Sequence, residues 1–115
     1  MFVIYEPWLF RLMAKPPQGM AIFPFILIQN KNDRHDNILF NHEKIHIRQQ
    51  TEMLLLPFYI LYGLNYAFNR LKYKNHDLAY RNVCFEREAY ANEHNPFYLY
   101  ERSTFSFWKY LFDEK

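Results

Sequence analysis

Apolar residues fall into distinct patterns along this chain. From Ala21 to Ile28 they are nearly continuous, from Ile38 to Met53 they recur every three or four positions, and from Met53 to Leu64 they again dominate. Residues 1–6 and the run Ala21-Ile22-Phe23-Pro24-Phe25-Ile26-Leu27-Ile28 are short and rich in β-formers, which predicts two strands. Pro24 cannot donate to a ladder, so the second strand is expected at a sheet edge or at a bulge. Pro7, Pro16, Pro17 and Gly19 punctuate the stretch between them. After the polar turn 29–36, Asp36 or Asn37 can cap a helix with Leu39, His42, His46, Gln49 and Met53 on one stripe and Ile38 and Ile45 beside it. Pro57 ends that helix and suits the first turn of another running to about Lys72. Asn75-His76-Asp77 can cap a third helix, about 77–93, which Asn95-Pro96 stops. Ser103 or Thr104 can cap a last short helix rich in Phe105, Phe107, Trp108, Tyr110, Leu111 and Phe112. The pattern predicts one domain over residues 1–115, α+β in class and mainly helical.

Composition narrows the choices. Half of the 115 residues are hydrophobic and 21% are aromatic, which suits a modest single core. A formal charge of +2 without a basic tract argues against a nucleic-acid partner. The single cysteine, Cys84, excludes an internal disulfide and reads as a small buried hydrophobe, so a cytoplasmic setting is expected. Met1 to Met13 has no basic leader and carries Glu6 and Pro7, unlike a signal peptide. The run Met53 to Leu64 is shorter than the roughly 20 apolar residues of a membrane span. A buried hairpin of helices is the expected reading, with contact with a membrane surface as the alternative that the Tyr and Phe of this run, and those near the C-terminus, leave open.

Chemistry concentrates in His42-Glu43-Lys44-Ile45-His46. On a helix, positions i and i+4 lie one above the other, so His42 and His46 can offer two imidazole nitrogens to one ion. Glu43, one residue along, can act on a metal-bound water as general base. Random placement of five histidines and eight glutamates in this length gives about 0.015 such matches.

Two histidines hold zinc poorly, so a third ligand is required. Glu52, Glu86, Glu88, Glu93, His76 and His94 are the candidates. Glu52 is too far along the same helix to reach the ion. Glu86 shares a helical face with Ala79, Val83 and Tyr90, an apolar stripe suited to the core. Glu88 shares a face with Cys84 and Arg81 and is expected on a solvated side, only one of the two pointing inward. Arg48 and Gln49 are expected to be solvated by default, with packing around the site as the alternative, and His35 and His76 to be caps or surface residues.

His42-Glu43-x-x-His46 followed by Glu86-Arg87-Glu88-Ala89-Tyr90 resembles the gluzincins, zinc peptidases with HExxH on one helix and E-x-x-A/S-D on a later one. The likeness covers mainly residues 37–93 and is to the thermolysin-type and CAAX-protease-type glutamate helix, at the size of the minigluzincins. It implies a zincin-like fold whose small β-sheet has an edge strand beside the active-site helix, and one Zn²⁺ on His42, His46 and Glu86. It also implies Glu43 as the general base and a peptide or protein substrate extended along Ile22–Ile28. Tyr90 stands where the family has an Asp that orients a ligand histidine, a role open to Tyr90, Asn82 or Asn41. Tyr80, Arg81, Tyr90 and His94 are candidates to meet an oxyanion. A second expectation is a catalytically silent relative in which zinc staples the helices and the aromatic C-terminus, Phe105 to Phe112, meets a partner or membrane.

Overall fold

A computed structural model of the chain describes residues 2–13 and 16–112; Met1, Ala14, Lys15 and residues 113–115 lie outside it. The architecture is α+β, with a three-stranded mixed sheet packed beside a set of helices. Strands β1 (Phe2–Tyr5), β2 (Gly19–Ile22) and β3 (Phe25–Ile28) lie in the order β1-β3-β2, with β1 parallel and β2 antiparallel to β3. The segment 21–28 is therefore two strands, not one. Its chain reverses at Phe23-Pro24, a cis peptide bond, so the proline that cannot donate to a ladder sits in the turn. β3 becomes the central strand and buries Ile26, Leu27 and Ile28; the edge beside the helices is Gly19–Ile22.

Helix α1 (Asn37–Glu52) starts where the Asp36 side chain accepts the Leu39 N–H at 3.1 Å. Leu39 and Ile47 pack it against Ile26 and Ile28. Leu54 and Leu55, both at positive φ, break the chain before α2 (Leu56–Tyr73), which carries Pro57 in its first turn.

The third expected helix is two: α3 (His76–Arg81), capped by Asn75, and α4 (Cys84–Asn92). Val83 between them is extended, and α2 supplies the partners that the break leaves wanting. Asn69 Nδ2 donates to the Ala79 carbonyl at 3.0 Å, and Asn65 Oδ1 accepts the Cys84 N–H at 2.8 Å. Short helices α5 (Tyr98–Glu101) and α6 (Trp108–Phe112) follow. α6 begins later than the Ser103 or Thr104 start, because Phe105 takes a positive φ that a continuing helix forbids. Phe58, Val83, Cys84, Phe85 and Phe107 form the larger core cluster, so part of the aromatic C-terminus folds inward.

Candidate metal centre

α1 and α4 lie side by side, and their facing side chains converge. His42 Nε2 and His46 Nε2 are 3.2 Å apart, and Glu86 Oε1 lies 3.1 Å from the first and 2.9 Å from the second. All three residues are buried, and their ligand atoms group as a metal site would require.

The hydrogen atoms around this triangle follow from its outer contacts. Gln49 Nε2 donates to Phe85 O at 3.1 Å and to Glu88 Oε1 at 2.9 Å, which turns Gln49 Oε1 toward His46 Nδ1 at 2.8 Å. That contact requires a hydrogen on His46 Nδ1. His42 Nδ1 faces Glu93 Oε1 at 2.7 Å and likewise donates. In the neutral imidazoles both Nε2 lone pairs therefore point at one another and at the Glu86 carboxylate. Three acceptors closed into a triangle repel unless a cation lies among them. Burial works against protonating His46, but the charge and hydrogen bond of Glu86, with Glu43 and Gln49, outweigh it and hold the imidazole up at about 9. Burial alone would raise Glu86, yet His46 and His42 keep its carboxyl well below the usual range. A proton can bridge one edge of the triangle; a divalent ion meets all three corners. Two nitrogens about 2.0–2.1 Å from a tetrahedral ion would stand about 3.3 Å apart, near the 2.9–3.2 Å edges, so the group could hold a metal ion.

The second oxygen of Glu86 is fixed from α2, where Tyr62 donates to Oε2 at 2.7 Å. Glu93 acts on His42, and Tyr90 instead packs edge-on against that ring, with centroids 4.5 Å apart. Asn41 does not reach either ligand histidine. It donates to the carbonyls of Glu93 and Asn95, each at 2.9 Å, and so holds the segment that carries Glu93. Asn82 bonds back to Leu78.

Glu88 is not on a solvated side. Both faces of α4 are covered, so Glu86 and Glu88 each point into protein. Glu88 receives Arg102 through two nitrogens, Tyr98 Oη at 2.6 Å and Gln49. Arg102 also pairs with Glu52, which accounts for that glutamate away from the ion. A buried chain thus runs from His46 through Gln49, Glu88 and Arg102 to Glu52. Gln49 takes the alternative of packing around the site and is the second link; Arg48 is exposed, its default. Tyr62, Gln49, Glu93 and Arg102 lie far apart in sequence and carry no local motif. Among them only the i+3 step from His46 to Gln49 on the histidine stripe was a signal.

Glu43 is buried, and no hydrogen bond to it is found among the described residues. Burial pushes its carboxyl up despite the nearby histidines. It borders a cavity of about 250 Å³ lined by Ala21, Ile22, Phe58 and Tyr62, and a second of about 280 Å³ lined by Gln18, Asp36, Tyr90 and Glu93. Gly19 and Tyr80 also border both. β2 approaches α1 so closely here that a Cβ at Gly19 would lie 3.2 Å from Glu43 Oε2 and from Leu39 Cδ1. Of the other oxyanion candidates, His94 is exposed and Arg81 covers the ring of Tyr90. His76 lies on the surface, where it bonds Tyr66 Oη.

No protein-family model, curated protein or solved structure matches this chain.

Proposed function

We propose that this protein is a zinc-dependent peptidase with a zincin-like arrangement, using His42, His46 and Glu86 as ligands and Glu43 as general base. The observation that carries this reading is the closed triangle of acceptor atoms beside a buried carboxylate that faces two cavities. Zinc bound there would lower the pKa of water toward about 7 and polarise the scissile carbonyl. Glu43 takes a proton from the attacking water and returns it to the leaving amine, a task suited to a buried carboxylate with no hydrogen bond among the described residues. Tyr80 is assigned to the developing oxyanion: it borders both cavities, burial keeps its hydroxyl protonated, and that hydroxyl, which donates to Tyr90, would turn toward the substrate.

The substrate is a peptide lying extended along β2. Gln50 restricts where it lies: Nε2 donates to Ala21 O at 2.6 Å and Oε1 accepts the Phe23 N–H at 2.8 Å. A side-chain amide thus closes the far end of the edge and leaves the Gly19 end, beside Glu43, for a partner strand.

Metal analysis of the purified chain is expected to give one zinc per molecule, lost in His46→Ala. Glu43→Gln is expected to retain the zinc and abolish cleavage of a quenched-fluorescence peptide library. Unchanged cleavage by Glu43→Gln removes the peptidase reading, and a metal-loaded wild type without cleavage favours zinc as a staple of the helices.

A further inference from the structure

α2 is built inside out. At 100° per residue, its inner side holds Phe58, Tyr62, Asn65, Tyr66, Asn69 and Tyr73, and four of these six make polar bonds to α3 or α4 or to residues beside them. Its outer arc, about 160° wide, runs through Gly63, Leu56, Ala67, Ile60, Leu71, Leu64, Pro57, Phe68 and Leu61 without one polar side chain. Leu64, Phe68 and Leu71 are 63%, 66% and 80% exposed, and a Cβ added at Gly63 would meet nothing. Water is a poor solvent for such a face.

Charge identifies what covers it. Arg70 and Lys72 stand at the two rims of the apolar arc, Lys74 follows at the helix end, and no acidic residue occurs between Glu52 and Asp77. A second copy of α2 would bring only more cations or neutral side chains against these three, whichever way it ran. An anionic lipid surface supplies the opposite charge and takes up the apolar arc together. Rim cations on long stems can reach headgroups while the arc sits among acyl chains. No described helix is long and apolar enough to cross a membrane, so attachment through α2 would be at the surface.

We propose that the outer face of α2 docks this protein onto anionic membranes, with Ile60, Leu64, Phe68 and Leu71 inserted and Arg70, Lys72 and Lys74 against the headgroups. The proposal is independent of the metal site. Phe58 and Tyr62 of the same helix line the apolar cavity beside Glu43 from the inner side of α2, so docking by the outer arc leaves that cavity on the side of the helix away from the bilayer.

The test is sedimentation of the full chain with vesicles of phosphatidylcholine alone or mixed with phosphatidylglycerol, with and without a metal chelator. Binding is expected only to the anionic vesicles, in both metal states, and is expected to weaken as salt rises. Leu64→Asp with Phe68→Asp should abolish it at unchanged circular dichroism, and Arg70→Gln, Lys72→Gln and Lys74→Gln together should weaken it on the order of 10-fold. Phe68→Trp, a mild change, should add a blue-shifted emission with anionic vesicles, read as the difference from the wild type with its own Trp8 and Trp108. That variant keeps the test decisive if the aspartates disturb folding. Absence of binding by the wild type, no blue shift in the added emission of Phe68→Trp, or a dimer that Leu64→Asp dissociates would overturn the proposal.

Discussion

Replacing Glu93 by Gln tests how the metal centre is held. The change keeps the size of the side chain and an oxygen able to accept from His42 Nδ1, but removes the negative charge 2.7 Å from that nitrogen. Loading a divalent ion makes the imidazole more positive, and a carboxylate on its far side stabilises that charge more than a neutral amide does. Loss of such an outer contact lowers metal affinity about 10- to 100-fold, equivalent to about 1.4–2.7 kcal/mol. Zinc affinity measured by competition with a chromophoric chelator should therefore fall by that factor in Glu93→Gln. Tyr90→Phe should change it less than about threefold, because Tyr90 meets His42 through its ring. Circular dichroism should be unaltered in both. If Tyr90→Phe weakens zinc more than Glu93→Gln does, the assignment of Glu93 as the orienting group is wrong.

Two further changes probe the surroundings of the site. Arg102→Met leaves Glu88 and Glu52 without their shared cation in a buried setting; denaturant unfolding should show a loss of about 3–5 kcal/mol, and a loss below about 1 would mean the network is relieved by water. Gly19→Ala places a methyl group against Glu43 Oε2; peptide cleavage should fall on the order of 10-fold with zinc content unchanged, whereas equal activity would show that the carboxylate moves aside freely.

The parts legible in the sequence are those written locally. Asp36 and Pro57 mark the start of α1 and the start of α2 because a cap and a missing donor act within one turn. The His42–His46 pair is readable because i and i+4 share a helical face. The stripe that picks Glu86 runs through Ala79 and Val83, which lie outside α4, so the break between α3 and α4 removes that basis even though Glu86 does face the histidines. The reversal at Phe23-Pro24 is hidden inside an unbroken apolar run, where a two-residue turn leaves no polar signature. The break between α3 and α4 is hidden differently: the groups that stabilise it, Asn65 and Asn69, belong to another helix. Glu88 misled because its own helix offers an apolar alternative, while Arg102 and Gln49, which make its burial tolerable, lie 14 and 39 positions away.

The inversion of α2 follows from the same cause. Its side toward α3 and α4 must satisfy a backbone N–H, a backbone carbonyl and the second oxygen of Glu86, which requires Asn65, Asn69 and Tyr62 there. Those polar positions recur at helical spacing and occupy the side that an amphipathic helix ordinarily gives to apolar contacts. The aliphatic residues therefore lie on the opposite side, and hydrophobic periodicity, which assumes that the apolar stripe is the buried one, assigns the faces of α2 backwards. The demand that orients Glu86 also leaves an apolar face outward, so the metal centre and the membrane-docking surface proposed for α2 share one structural origin.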